Sequence, residues 1–316
     1  MKRLITTAVT LLLLAIPARA ATPENFLYMG SGDLESHQEL LARPDIGGVQ
    51  IVYNWKQLEP AEGQYDFAAI DSDLKIAGTL GKKLFVQVQD RFFDVKARNI
   101  PDYLLTDPQY GGGLVPQLDN PGEAKAKGYG WTTMQWNAAV RHRYQALLTA
   151  LAAAFDGKIY GVNLPETAID VDAKTDTTGF TCDGYFAAEM ENLAYARAAF
   201  KASKIVQYVN FWPCEWDNDH NYMSRTFEYA ANHDVGLGGP DIVPYRKGQM
   251  HNSYPFFNQY RGKLGYVGLA VQEPTLTYTN PKTGKPFTRE EFVDFGENYL
   301  GADVIFWSVE TPWLKR

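Results

Sequence analysis

The chain has 316 residues, of which 45% are hydrophobic and 21% are charged, and its formal net charge is −7 at pH 7. This length suits one large domain or two small ones. The acidic balance argues against nucleic acid or an anionic membrane as a partner, because both would repel the chain.

The first twenty residues have the pattern of a secretory signal peptide. Lys2 and Arg3 make a basic start, positions 4–16 are apolar, and an Ala-x-Ala motif ends at Ala20. The apolar stretch is too short and wrongly flanked for a membrane anchor, and no later stretch is apolar enough to span a bilayer. We therefore expect cleavage near Ala20, a secreted or periplasmic protein without membrane insertion, and one folded domain over 21–316.

From residue 26 onward, short apolar runs alternate with segments of helical spacing. Eight runs are typical of strands, at 26–29, 48–54, 84–89, from 159, 205–210, 235–239, 264–272 and 304–307. Thr288 and Glu291 form a capping box, which predicts a helix before the last strand.

Eight strands with intervening helices are the count of a (β/α)8, or TIM, barrel. Parallel strands that are buried on both faces should be continuously apolar, and these runs largely are. Because only nine residues follow Trp307, the eighth helix should be short or missing. The alternative is a doubly wound open sheet, for which the segment 29–33 is a poor nucleotide-binding turn.

The segment 99–136 has little periodicity and contains Gly111-Gly-Gly, Pro116 and Pro121. A long loop inside a compact domain is usually functional. We expect it to stand above the end of the third strand, as one wall of a cleft.

Two glutamates stand where predicted strands four and seven end. Glu166 ends the run that begins at Ile159, and Glu273 ends the run that begins at Tyr266. Glycosidic bond cleavage needs two carboxyl groups, one to donate a proton and one to attack or stabilise the sugar cation. Either glutamate could instead cap a turn or pair with a nearby arginine, but two of them at the same end of a barrel favour catalysis.

The chain has two cysteines, Cys182 and Cys214, each shortly after a predicted strand end. An exported protein meets an oxidising compartment, so we expect a disulfide between them; the alternative is two free thiols. None of the five histidines has metal-binding spacing. We therefore expect neither a metal nor an organic cofactor.

A sequence pattern after the second predicted strand resembles a known group of enzymes. It consists of Trp55, Leu58-Glu59-Pro60, Glu62-Gly63 and Tyr65-Asp66-Phe67. It is similar to the same segment of clan A glycoside hydrolases, the retaining (β/α)8 enzymes with catalytic glutamates on strands four and seven. The sequence similarity covers about twenty residues and identifies no specific family. We expect Glu59 and Glu62 to be solvated.

The resemblance implies a role for each of the two glutamates. Glu166 takes the position of the acid/base residue, and Glu273 that of the nucleophile, 107 residues later. The chain departs from the clan in one respect. The clan usually has an asparagine directly before the acid/base glutamate, whereas here two residues separate Asn163 from Glu166. Asp170 and Asp172 remain as substitutes for the acid.

The resemblance and the residue types also point to substrate contacts. By resemblance, Tyr245 would orient the nucleophile and Trp307 would form the floor of the sugar site, and Asn163 would contact a sugar hydroxyl. Aromatic rings stack on the apolar faces of sugars, which favours contacts from tryptophans near strand ends. Asp90 and Arg91 end the third strand. They bind substrate, or Arg91 keeps a catalytic carboxylate ionised through a charge-assisted hydrogen bond, or the two form a structural ion pair. The expected substrate-binding residues are Trp55, Asp90, Arg91, Asn163, Trp212, Tyr245 and Trp307.

The sequence therefore predicts an exported retaining glycoside hydrolase that acts on a poly- or oligosaccharide. Two alternatives stay open. One is a glycan-binding barrel without catalysis, and the other is a transglycosylase or inverting hydrolase with a different acid.

Overall fold

A computed structural model describes residues 22–118, 129–172, 174–272 and 278–315. The proposed signal peptide and Glu273 lie outside the described residues. The described strands are β1 (Glu24–Tyr28), β2 (Gly48–Asn54), β3 (Lys83–Gln89), β4 (Arg91–Phe92), β5 (Leu114–Leu118), β6 (Tyr129–Thr133), β7 (Gly161–Leu164), β8 (Lys204–Tyr208), β9 (Gly236–Gly239), β10 (Val267–Val271) and β11 (Val304–Ser308). The described α-helices are α1 (Gln38–Leu41), α2 (Trp55–Leu58), α3 (Ala68–Thr79), α4 (Asp102–Thr106), α5 (Ala138–Phe155), α6 (Cys182–Ala199), α7 (Tyr222–Asn232), α8 (Lys247–Met250), α9 (Ser253–Gln259) and α10 (Arg289–Asp294).

Eight of the strands close into a parallel barrel in the order β1, β2, β3, β7, β8, β9, β10, β11. The predicted (β/α)8 barrel is confirmed, and the eight predicted runs are its eight strands in chain order. Pairing is longest between β2 and β3, which are in register from Gly48 opposite Lys83 to Asn54 opposite Gln89. The carboxyl ends of all eight strands meet at one mouth of the barrel, where enzymes of this fold place their active sites.

The interior of the barrel is filled with aromatic rings. Phe26 of β1, Phe85 of β3 and Phe306 of β11 meet edge to face or tilted, with ring centroids 5.2–6.1 Å apart. Because β3 is not a neighbour of β11, these rings can only meet across the inside. Two glycines make room for them, since a Cβ atom on Gly48 would collide with Phe26, and one on Gly161 would collide with Phe85.

The segment after β3 contains a small sheet of its own. Strands β4, β6 and β5 form an antiparallel sheet in that order, and α4 lies between β4 and β5 in the chain. The lack of periodicity over 99–136 predicted little regular structure in that stretch, yet it contains β5 and β6. One of them, β5, has Pro116 inside it. The proline hid the strand because it is usually excluded from sheet interiors, whereas β5 lies at the edge of this sheet.

The segment after β11 agrees with the expectation that the eighth helix is short or missing. Among the described residues, only a short 3-10 helix, Pro312–Lys315, follows β11. The predicted capping box is present, because the Thr288 side chain accepts from the Glu291 backbone N–H and the Glu291 carboxylate accepts from the Thr288 backbone N–H. No helix of the described ranges is both long and apolar enough to cross a membrane.

The motif that carries the family resemblance is a structural unit in the helix layer. The indole N–H of Trp55 donates to the Glu59 carboxylate at 2.8 Å, and the backbone N–H of Gly63 donates to the same group at 2.9 Å. Arg143 of α5 forms an ion pair with Glu59. Glu59 is fully buried, so the expectation that it is solvated was wrong. Its partner Arg143 lies 84 residues away in sequence, which is why the local pattern could not reveal it.

Candidate active site

Glu166 lies just beyond the end of β7, at the carboxyl-terminal mouth of the barrel. Leu164 is the last residue of β7, and Pro165 cannot donate a backbone hydrogen bond to continue the strand. The chain rejoins the neighbouring strand at Thr167, whose N–H donates to the carbonyl of Tyr208 at 3.0 Å. This departure from the strand brings the partly buried Glu166 side chain to the mouth.

The Glu166 carboxylate has one side-chain hydrogen-bond donor among the described residues, Asn210, which follows β8. The Asn210 side-chain amide donates to Oε2 of Glu166 at 2.6 Å. The Asn210 side chain is itself held in place, because its carbonyl oxygen accepts hydrogen bonds from the backbone N–H groups of Ala168 at 3.2 Å and Phe211 at 2.9 Å. Sequence analysis did not name Asn210, although an asparagine at the end of a predicted strand is the signal that could have found it.

Burial raises the pKa of Glu166 to about 7, and the negative charge of Asp241 adds to that effect. The positive charge of Arg91 and the hydrogen bond from Asn210 act in the opposite direction, because both stabilise the ionised form. Tyr28 of β1 is influenced by the same two carboxyl groups, Glu166 and Asp241. Burial, followed by the charges of Glu166 and Asp241, raises its pKa to about 12. Glu166 is therefore largely protonated below neutral pH.

Asp241 is a second carboxyl group at this mouth, and sequence analysis missed it. It stands two residues past the end of β9, and the following residue, Ile242, donates its N–H to the carbonyl of Ala270 at 2.7 Å. The backbone of Asp241 forms an isolated antiparallel β-bridge with Val271, the last residue of β10. The sequence did contain a signal for Asp241, because this residue follows a glycine-rich strand in the same way that Glu166 follows an apolar strand.

Arg91 is fully buried and is surrounded by acceptors. Its guanidinium pairs with Asp90 and Glu189 at 3.0 Å each and donates to the hydroxyl of Tyr185 at 2.6 Å. A further N–H donates to the backbone carbonyl of Glu166. Asp90 is buried as well and accepts from Gln135 at 2.7 Å. The structure shows the ion pair between Arg91 and Asp90, and neither side chain is exposed to a substrate. The contact of Arg91 with Glu166 is to its backbone carbonyl and not to its carboxylate.

Asn163 points into the interior of the barrel. Its neighbours Val162 and Leu164 belong to the outer core, so strand alternation directs Asn163 inward. Its side chain is fully buried, and neither of its polar atoms has a hydrogen-bond partner among the described residues. Asn163 thus makes no described hydrogen bond to the Glu166 carboxyl group, from which two residues separate it in the sequence.

The tryptophans expected to contact substrate are all buried. Trp55 packs edge-on against Tyr144 in the helix layer, with ring centroids 5.3 Å apart. Trp212 is enclosed by Tyr185, Phe186 and Tyr222. Neither presents an open ring face to a sugar.

Trp307 also lies away from the site expected for it. Phe306 occupies the inward position on β11, so alternation turns Trp307 outward. There it packs against Phe292 and Trp313 and donates to the Asn25 side chain at 3.0 Å. The structure therefore corrects its expected place in the sugar site.

Tyr245 is the one predicted substrate-binding aromatic that is exposed, at 39% of its surface. It follows β9, its ring lies 5.4 Å from that of Phe295, and the Lys282 ammonium lies 3.9 Å from its ring centre. No described contact joins it to Glu166.

The predicted disulfide is present between Cys182 and Cys214, whose Cα atoms are 6.2 Å apart. It joins the start of α6 to the loop after β8. No group of three or more histidine, cysteine, aspartate or glutamate side chains within the described ranges has the arrangement of a metal site.

No family model and no curated protein matches the chain at a significant level, whereas many solved structures do. The catalytic domain of β-amylase from Paenibacillus polymyxa matches with a TM-score of 0.57 and 11% identity, over 91% of this chain and 93% of that one. A psychrophilic family 10 endo-β-1,4-xylanase matches with a TM-score of 0.54 and 11% identity, over 91% and 87%. A family 10 glycoside hydrolase from Paenibacillus barcinonensis matches with a TM-score of 0.51 and 14% identity, over 91% and 84%. The resemblance to glycoside hydrolases is thus confirmed for the fold.

Proposed function

We propose that this protein is a glycoside hydrolase that cleaves an oligo- or polysaccharide with Glu166 as the proton donor. The observation that carries the proposal is the state of Glu166, a partly buried carboxyl group at the catalytic mouth of the barrel with its pKa raised to about 7. Such a group keeps its proton in mildly acidic solution and can transfer it to a leaving oxygen. The fold shared with glycoside hydrolases supports the same reading by analogy.

In the proposed reaction Glu273 is the nucleophile, an assignment that rests on its position at the end of predicted strand seven and on the family resemblance. Glu166 protonates the glycosidic oxygen while Glu273 attacks the anomeric carbon and forms a glycosyl-enzyme. Water then attacks the same carbon, with Glu166 as the base, and releases a sugar of retained configuration. This requires carboxyl groups about 5–5.5 Å apart.

We further propose that the protein works outside the cytoplasm. The amino-terminal pattern favours export. The Cys182–Cys214 disulfide is of the kind that persists in oxidising compartments.

The test is hydrolysis of a glycan panel by the wild type and by Glu166→Gln and Glu273→Gln. Each substitution should lower the rate by orders of magnitude, because each carboxyl group acts in the transition state. NMR of the first product should show the anomer of the substrate. An inverted first product would instead mean direct attack by water, and full activity in Glu273→Gln would remove the assigned nucleophile.

Azide separates the two roles. In Glu273→Ala, azide should replace the missing nucleophile and give an inverted glycosyl azide. In Glu166→Ala, substrates with good leaving groups should still form the glycosyl-enzyme, and azide should then give a retained product. The same stereochemistry from both variants would contradict the assignment.

A glycan-binding protein without catalysis is the second candidate. It is favoured by two departures from the catalytic arrangement that the resemblance implies: Trp307 points outward, and Asn163 makes no hydrogen bond to Glu166 among the described residues. This candidate predicts that the wild type and Glu166→Gln bind a glycan with similar affinity while neither cleaves it.

A further inference from the structure

A cavity of about 340 Å³ lies between the loops that follow β7 and β8, the loops that begin near Glu166 and Asn210. This volume is within the range of small-molecule sites, roughly 300–1,000 Å³. Its wall begins at Ile169, three residues after Glu166, and includes Phe211, which directly follows the Asn210 that binds the Glu166 carboxylate. A molecule in this cavity would therefore contact the same two loops that begin near the proposed proton donor and its hydrogen-bond partner.

The wall of the cavity is aromatic and acidic. Phe180, Phe211 and Trp216 line it together with the almost fully buried Trp212 and two carboxyl groups, Asp170 and Glu215, and none of the described lining residues is basic. Aromatic faces suit the apolar faces of sugar rings. The Asp170 carboxylate can accept hydrogen bonds from hydroxyls, whereas the Glu215 carboxylate already accepts from the backbone N–H groups of Tyr222 and Met223. Both negative charges disfavour an anionic guest. The lining thus fits an uncharged sugar unit better than a uronic acid or a sulfated one.

Trp216 is an exposed tryptophan in an ordered setting. It is 40% exposed, yet its ring stacks on the ring of His251 with centroids 5.0 Å apart and planes 20° from parallel. His251 is itself paired with Asp217 at 2.7 Å, and the Trp216 backbone N–H donates to Asp219 at 3.0 Å. The disulfide at Cys214 anchors the same loop. The indole is therefore already ordered before a ligand arrives, which lowers the entropy lost on binding.

We propose that this cavity is a sugar-binding subsite for a neutral glycan, with Trp216 as its stacking platform. The inference rests on the proposed function and extends it, because it assigns the substrate an uncharged chain that continues past Glu166 over the loop of 211–216. Trp216 acts as a binding residue for the longer substrate and takes no part in bond cleavage.

The experiment measures binding and hydrolysis of hexaoses of β-1,4-linked glucose, xylose and mannose, with an oligogalacturonate as the anionic probe. Binding is measured by calorimetry in the Glu166→Gln background, where turnover does not interfere. Adding Trp216→Ala should weaken binding of the preferred hexaose about tenfold, the loss expected for a central aromatic anchor. Trp216→Phe should recover most of that loss. Tyr195→Ala is the matched control, since Tyr195 is 38% exposed on α6 and should leave binding unchanged.

The outcomes separate this inference from the proposed function. If the wild type cleaves a hexaose and Trp216→Ala raises KM for it but not for an aryl monoglycoside, both are supported. If Trp216→Ala matches the wild type on every hexaose that is cleaved or bound, or if the oligogalacturonate binds best, the subsite is overturned. Hexaose binding that depends on Trp216, without any cleavage, would sink the hydrolase and keep the subsite. Absence of both binding and cleavage across the panel overturns both.

Discussion

Replacing Glu166 by glutamine should stabilise the protein, and the gain should grow as the pH rises. The folded-state pKa of Glu166 is about 7, raised from 4.5 by burial and by Asp241. Between these two values the folded state binds more protons at this residue than the unfolded chain does. The free energy of unfolding therefore falls as pH rises through this window. Glutamine stays neutral throughout and can still accept the hydrogen bond of Asn210.

The size of the effect follows from the two pKa values. Ionisation of Glu166 destabilises the wild type by about 0.8 kcal/mol at pH 5 and about 3.3 kcal/mol at pH 8, using about 1.36 kcal/mol for each pKa unit. The advantage of Glu166→Gln should thus increase by about 2.5 kcal/mol between these pH values.

Urea unfolding followed by circular dichroism at both pH values measures this change. Glu310→Gln is the control, because Glu310 is exposed and its partner Lys315 lowers its pKa, so its effect has the opposite sign. Equal gains for Glu166→Gln at pH 5 and pH 8 would refute a raised pKa at Glu166 and, with it, the main support for its role as an acid.

Three further predictions concern other parts of the chain. Asp241→Asn should lower the pKa of Glu166, because it removes a negative charge that favours the protonated form, and the alkaline limb of the pH–rate profile should move to lower pH. An unchanged alkaline limb would mean that Asp241 does not influence the pKa of Glu166. Arg143→Met should reduce the free energy of unfolding by about 3–5 kcal/mol, because it leaves the buried Glu59 charge unpaired, and the double variant with Glu59→Gln should recover much of this loss in urea titrations. Cys214→Ser should cost about 3–4 kcal/mol, the value for a loop of this size, and thiol titration of the denatured, unreduced wild type should find no free thiol; two free thiols would contradict the disulfide.

The barrel could be predicted from sequence because its strands are buried on both faces and are therefore continuously apolar. Side-chain direction could not be predicted in the same way. Strand side chains alternate with a period of two, so a shift of one residue exchanges inside and outside. Trp307 is an example, because the resemblance implies a place in the sugar site, whereas Phe306 occupies the inward position on β11. An apolar run such as 304–307 carries no polar residue that marks which face is which.

The candidate site was only partly predictable for a related reason. Glu166 was found because a carboxyl group that follows an apolar run is unusual. Asp241 and Asn210 follow strands too, but their importance depends on being near Glu166, and that is a property of the closed barrel. The burial of Glu59 likewise depends on Arg143, which comes from a distant helix. Local patterns identify strand ends, whereas partners from distant segments decide the charge state of the residues there.

Arg91 shows how the fold can hold an acid beside a cation without neutralising it. A guanidinium close to a carboxylate would normally form a bidentate ion pair and keep the carboxyl group ionised. Here Asp90, Glu189 and Tyr185 occupy donors of the guanidinium, and the donor directed to Glu166 reaches its backbone carbonyl. Arg91 thereby fixes the position of Glu166, while its charge only moderates the rise in the pKa of the Glu166 carboxyl group. A lysine could not replace it, because three donors on one nitrogen cannot reproduce the planar fork that reaches all four partners.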